Sequence, residues 1–244
     1  MERPAPEDVI GTTRRDWTAT PPQYSGASTH RPRYHVLNRA KLRKLPWHLR
    51  YRVGARYASE VRRYVIKVTH RHCRVEFQGP VYLGPGFHLN IPDAGELIIG
   101  PGTDLRRGFV CEISGNGRVR LGTGVTFTSH ALIQCSTSID IGDKAVFGQS
   151  VMIADGNHRF RDWTKHLFEQ GYDFNPITVG ANAIVMSKCT ILADIGEGAI
   201  VGAHTLVNKP VPSYCLAGGS PVRILEYFGP PDRRPAELEV GRDG

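Results

Sequence analysis

The chain has 244 residues, 40% of them hydrophobic, and a formal net charge of +8 from 31 Lys and Arg against 23 Asp and Glu. That length suits one domain with appendages, and no apolar run is long enough to span a bilayer. Five cysteines, an odd number without a C-x-x-C pair, argue against a disulfide framework, and residues 1–20 carry acids and prolines instead of an apolar signal core, so a cytoplasmic protein is expected.

Residues 1–33 are rich in Pro, Thr and Ser and have no period, which predicts a disordered arm. From Arg31 to Arg74 there are 14 Lys and Arg against the single acid Glu60, so the rest of the chain sums to −5 and the basic character is regional. Residues 34–74 read as a basic amphipathic helical extension. From Trp47, apolar residues recur at Tyr51, Ala55, Ala58, Val61, Val65 and Val68, spacings of three and four that form one stripe. Pro46 suits a helix start, with Val36, Leu37, Ala40, Leu42 and Leu45 in a shorter helix before it. Two readings of the stripe stand. It packs on the end of the next domain or on a neighbouring subunit with its charges in solvent, or it docks on an anionic membrane, at the inner face, or on a lipid-linked glycan. Nucleic acid has only charge in its favour.

Residues 75–228 keep step in sixes. Leu121, Phe127 and Ile133, Ile141, Phe147 and Ile153, Val179, Val185 and Ile191, and Ile195, Val201 and Val207 form four blocks, each opening on a hydrophobic residue followed by glycine. Ile99, Leu105 and Cys111 are a degenerate upstream copy. A six-residue period is a strand of about three residues and a corner, and three such units make one triangular turn of a parallel β-helix. The intervening columns agree: Thr103, Val125, Ala145, Ala183 and Ala199, then Phe109, Ala131, Val151, Cys189 and Thr205, then Leu97, Val119, Ile139, Ile177 and Ala193 are small or apolar and are expected inside. Thr123, Asp143, Asn182 and Glu197 fall on corners, while Cys111 and Cys189 are read as buried apolar residues.

Asp155-Gly156-Asn157-His158, Asn175 to Gly180, Ile195-Gly196 to Val201-Gly202-Ala203, and Ala217-Gly218-Gly219-Ser220-Pro221-Val222-Arg223 carry a resemblance. From Tyr82 to Phe228 the chain resembles the hexapeptide-repeat acyltransferases, most of all the maltose, galactoside and surface-polysaccharide O-acetyltransferases. The resemblance implies an all-β core, a left-handed parallel β-helix of about five to six coils. The hand comes from the resemblance, because parallel crossovers are nearly always right-handed.

Between Ile153 and Val179 the period fails and then resumes, so residues 154–178 must project from a corner as a loop. The loop is dense in groups suited to a sugar or similar polar acceptor, and His158 stands at its root. Moving an acyl group from a thioester to an alcohol needs a base for the hydroxyl proton, and imidazole titrates close enough to neutrality to serve. By resemblance His158 is that base, acting without an acyl-enzyme. The oxyanion needs donors, and the backbone N–H of Ser187 matches the family's contact. Asp155 or a backbone carbonyl would hold the His158 tautomer. Asp155, Asn157, Thr128 and His130 are candidate acceptor contacts, and His204 is read as an outward corner residue.

The resemblance also implies acyl-CoA as a co-substrate lying between subunits of a homotrimer, with no tightly bound cofactor and no metal. Gly202 and Ala203 match the residues along the pantetheine arm, and Lys209 and Arg223 match positions near the nucleotide phosphates, where cations are suited to the oxygens. Ile184, Met186 and Asn208 depart from the usual Trp, Gly and Thr. The function expected is acyl-CoA-dependent transfer, of an acetyl or other short acyl group, to a hydroxyl of a saccharide or glycan. The alternatives are a non-catalytic β-helix scaffold subunit and a zinc carbonic anhydrase, whose close-spaced His pair the residues His130, His158 and His166 do not match. Residues 229–244, with Pro230 and Pro231, read as a flexible tail.

Overall fold

The computed structural model describes residues 39–235; the arm at 1–33 lies outside them. The first described element is helical throughout: α1 (Arg39–His48), a π-helical turn at Leu49–Gly54, and α2 (Ala55–Thr69). Pro46 sits inside α1 instead of opening a helix. Proline lacks the N–H of a helical ladder, and three residues later the helix widens into the π turn, which re-phases the side chains that follow.

The stripe expected from Trp47 is not the face that packs on the β-structure. Tyr51, Val61, Val65 and Val68 are exposed, and the buried residues of α2 are Ser59 and Ile66. The helix does pack on the end of the β-structure, with its other face. The Ser59 hydroxyl donates to the Val81 carbonyl at 3.3 Å and accepts from the Leu83 amide at 2.8 Å, while Arg62 donates to the Leu83 carbonyl at 2.8 Å and Arg63 to the Gly79 carbonyl at 3.0 Å. The first strand of a sheet would otherwise leave its polar groups open to pairing with another chain, and α2 covers it.

From Arg74 the chain winds through three parallel sheets in rotation. The first face stacks Arg74–Phe77, Glu96–Ile99, Arg118–Leu121, Ser138–Ile141 and Ile177–Val179. The second runs from Tyr82–Leu83 to Cys215–Gly218, and the third from His88–Asn90 to Leu206–Val207. Partners sit one turn apart in register, as in Ile139 on Val119 and on Ile177. Six turns are complete, and a seventh starts with the bridge of Ile195 to Val211 and ends at Cys215–Gly218. The first turn was missed as a repeat, although Phe77, Leu83 and Leu89 pair with Ile99, Leu105 and Cys111 and carry the same six-residue spacing.

The expected inward columns are inside. Thr103, Val125, Ala145, Ala183 and Ala199 are buried, as are Phe109, Ala131, Val151, Cys189 and Thr205, and only Ala193 of the third column is partly exposed. Down the axis Phe87, Phe109, Phe127 and Phe147 follow one another at ring-centroid distances of 5.7, 5.0 and 4.2 Å. Such a stack combines large apolar burial with aromatic pair contacts.

Of the expected tail, residues 229–235 are described and 236–244 lie outside the described residues. Arg223–Tyr227 turns back antiparallel on Cys215–Gly218, and a 3-10 turn follows at Pro231–Arg233. The Tyr227 hydroxyl donates to the Pro230 carbonyl at 2.7 Å and the Phe228 amide to the Tyr214 carbonyl at 3.0 Å, so residues 229–235 close the end of the β-helix.

Candidate active site

The fourth turn ends on the third face at Met152–Ala154, and the fifth begins on the first face at Ile177–Val179. Between them the chain forms a two-stranded ribbon. Gly156–His158 pairs antiparallel with Tyr172–Phe174, placing Gly156 opposite Phe174, Asn157 opposite Asp173 and His158 opposite Tyr172. A Cβ on Gly156 would lie 2.8 Å from the Phe174 ring, so this pairing closes on glycine. The ribbon is tied by Arg159 to Asp173 at 2.6 Å, and its far end carries a 3-10 turn at Leu167–Glu169.

Asp155 roots the ribbon. It is 4% exposed, and its carboxylate accepts from the Ser136 amide at 2.8 Å, the Thr137 amide at 2.6 Å and the Thr137 hydroxyl at 2.8 Å, all on the turn below. The Cys135 thiol donates to it at 3.5 Å. A buried carboxylate is stable when its oxygens are filled in this way. Asp155 therefore neither holds the His158 tautomer nor meets an acceptor, which corrects the reading of it as a substrate contact. Asn157 is exposed, pairs with Asp173 in the ribbon and does not line the cavity next to His158.

The His158 ring lies 4.2 Å from that of Tyr172 and edge-on to Phe168 at 5.5 Å. Nδ1 is buried and has no hydrogen-bond partner among the described residues. The ring borders a cavity of about 380 Å³ whose other walls include Arg159, Arg161, Asp162, Lys165 and Gln170. Lys165 and the Thr164 hydroxyl hold the Asp162 carboxyl below its usual range, the hydroxyl contribution being the larger. Sequence reasoning missed the aromatic wall of Tyr172 and Phe168. The ribbon brings them to His158, and the only signal for them was their place in the interrupted segment.

A second group lies elsewhere on the prism. Thr128, His130, Ser187, Gly202 and Ala203 all fall on the corner between the second and third faces, whereas the ribbon leaves from the corner between the third and first. Backbone bonds run along that corner from turn to turn: His130 to Arg107, Ser150 to Ser129, Lys188 to Gln149 and His204 to Ser187. His130 occupies its left-handed position at φ 59°, with Ser150, Lys188 and His204 at equivalent places, and its ring covers Gly108. His204 is an exposed corner residue, as expected. The Thr128 hydroxyl is buried without a partner among the described residues. The Ser187 hydroxyl accepts from the Gln149 amide at 3.1 Å, while the amides of Ser187 and Ala203 have no acceptor among the described residues. One corner of a single chain thus presents unpaired amide donors, and a different corner presents the imidazole.

Lys209 is exposed two turns above the ribbon on the same corner, and Arg223 is exposed at the start of the closing strand. Neither pairs with an acid among the described residues. The described residues contain no group of three His, Cys, Asp or Glu side chains placed to hold a metal ion.

No family profile matches the chain. Over 152 residues it is 27% identical to a protein of Mycobacterium tuberculosis named a probable acetyltransferase, covering 61% of this chain and 50% of that one. Over 125 residues it is 26% identical to the galactoside O-acetyltransferase of Lactococcus lactis, covering 48% and 57%. The chain spans between half and three fifths of the length of these curated relatives. Among solved structures it is similar to AntD, an N-acyltransferase from Bacillus cereus in complex with dTDP and 3-hydroxybutyryl-CoA. The TM-score is 0.52 at 15% identity, over 71% of this chain and 90% of that one. The relatives are acetyltransferases, as the resemblance implied, and the fold is the left-handed parallel β-helix.

Proposed function

We propose that this chain is an acyl-CoA-dependent O-acyltransferase that moves an acetyl or other short acyl group to a hydroxyl of a saccharide or glycan, with His158 as general base. The observation that carries this reading is the imidazole itself. It is steadied between Tyr172 and Phe168, its Nδ1 is buried without a partner among the described residues, and the residue lines a polar cavity.

With the acceptor in that cavity, Nε2 takes the hydroxyl proton as the oxygen attacks the thioester carbonyl. The carbonyl oxygen becomes an oxyanion, for which an unpaired backbone amide such as that of Ser187 is a suitable donor. Collapse breaks the carbon–sulfur bond, and the proton held by His158 passes to the departing thiolate. Arg159, Arg161, Asp162, Lys165 and Gln170 supply donors and acceptors that match a hydroxyl-rich acceptor.

The acyl-CoA would lie along the corner of Ser187, Gly202 and Ala203. Small side chains leave room there, while Arg223, and Lys209 on the ribbon's corner, pair with no acid among the described residues and suit phosphates. Within one chain the base and the amide donors are on different corners, so a complete site draws on two copies. This supports a homotrimer with its sites at the interfaces.

The test is mass-spectrometric identification of the product after incubation with a panel of acyl-CoA donors and glycans. A glycan gaining one acyl group per transfer is expected. Absence of both transfer and acyl-CoA binding would leave the scaffold reading.

A further inference from the structure

We infer that the outer face of α2 and the π turn before it is a docking surface for an anionic phospholipid bilayer, on which the protein lies without crossing. The stripe Val53, Tyr57, Val61, Tyr64 and Val68, spaced by fours and threes, runs along the side of the helix opposite the docked residues Ser59 and Ile66. Every member is exposed, Tyr57 at 74% and Tyr64 at 71%. Trp47 and Tyr51, with ring centroids 5.5 Å apart and planes tilted by 34°, extend the apolar surface towards the start of the helix. Monomeric proteins rarely leave so continuous an apolar face in water.

Charge identifies the occupant. Between Lys44 and Arg71, the residues Lys44, Arg50, Arg52, Arg56, Lys67 and Arg71 are exposed cations, and the only acid, Glu60, is paired with Arg63 at 2.9 Å. The cationic surface continues off the helix. A groove of ≈ 830 Å³ beside it is lined by Arg52 and Arg56 from the helix and Arg106 and Arg107 from the β-helix. Its acids are Glu60 and Asp104, the latter engaged by Arg106 at 3.0 Å.

A second copy of this chain is a poor complement, because residues 75–235 carry 13 Lys and Arg against 15 Asp and Glu, and the same helix face would bring like charges together. Nucleic acid gives the aromatic stripe nothing to bury in. An anionic bilayer accepts both parts, the aromatic and aliphatic side chains at the headgroup and acyl boundary and the guanidinium groups on lipid phosphates. No described helix is long and apolar enough to cross a membrane, which fits a helix lying in the interface.

The test uses the full chain in vesicle flotation, with phosphatidylcholine alone and with about one third phosphatidylglycerol. The protein should float with the anionic vesicles, stay behind with the neutral ones and be released by high salt. The double substitution Tyr57→Ser, Tyr64→Ser and the double substitution Arg52→Glu, Arg56→Glu should each lower bound protein roughly tenfold at unchanged melting temperature. Tyr57→Phe with Tyr64→Phe should retain binding and serves if the serine variant fails to fold. Equal behaviour with the two vesicle types, or binding that survives the substitutions, would overturn the inference. So would a change of oligomeric mass in the serine variant, which would make the face a subunit contact.

Discussion

His158 and Tyr172 face one another across the ribbon with ring centroids 4.2 Å apart and planes tilted by 39°. Removing the imidazole removes the proposed base and little packing, because the residue is only half buried. His158→Ala should therefore lower kcat about 10²- to 10⁴-fold while melting temperature and acyl-CoA affinity hold. Tyr172→Ala should lower kcat less and leave the KM for acyl-CoA unchanged, since the tyrosine packs on the imidazole and lies on a different corner from Ser187, Gly202 and Ala203. Steady-state kinetics beside thermal melts check both, and near-normal turnover of the alanine variant at His158 would place the base elsewhere.

Asp155 lies three residues before His158 and does different work. Asp155→Ala strands the Ser136 and Thr137 amides that it now accepts from, which should cost roughly 3 kcal/mol of stability. Asp155→Asn, which keeps one acceptor oxygen, should cost less. The measurement is urea unfolding of both variants alongside acceptor KM. A change of acceptor KM without loss of stability would restore Asp155 as a substrate residue.

The thiols set an alkaline limit. Burial, and after it the Asp155 carboxylate, push the Cys135 thiol up to about 12, from an unfolded reference of 9.0. Burial also raises Cys111, Cys189 and Cys215. A group whose folded pKa is raised stabilises fully below the unfolded value and loses that contribution as pH rises towards the folded value. Stability should thus be flat in this respect below pH 9 and fall between pH 9 and about 12. Denaturation midpoints across that range test it, and Cys135→Ala should flatten part of the slope. A slope that the substitution leaves untouched would mean that Cys135 does not contribute.

The winding of this fold was legible because stacking forces like residues into columns, and Ile139 between Val119 and Ile177 is where pattern and register meet. The site was legible only in part. The interruption of the period pointed to residues 154–178, and the structure sets His158 there beside a cavity. Asp155 could not be assigned, because its partners are amides of the preceding turn, and spacing along the chain says nothing of which way a carboxylate faces. The face of α2 that docks was not legible, because Ser59 and Arg62 meet the backbone of Val81 and Leu83 through polar contacts, which an apolar stripe does not mark. Phe77, Leu83 and Leu89 hid the first turn because Gln78 stands where the other blocks have glycine.

Gly202 is a corner glycine that stacking does not demand. Most corner glycines are demanded by stacking: a Cβ on Gly148 would lie 2.5 Å from the Ser187 amide nitrogen of the next turn. At Gly202 the nearest atom to such a Cβ is the Ala217 carbonyl oxygen at 3.5 Å, an ordinary contact. The fold therefore does not require glycine there, and its smallness is available for a ligand lying against the corner. Gly148→Ala should destabilise by ~1–3 kcal/mol through overpacking. Gly202→Ala should leave the melting temperature within a degree or two of wild type, as a residue in unstrained space does, and raise the KM for acyl-CoA. Melts and donor titrations on the two variants are the measurement. If Gly202→Ala bound acyl-CoA as tightly as the parent, the pantetheine arm would not run along this corner, whatever the fate of His158.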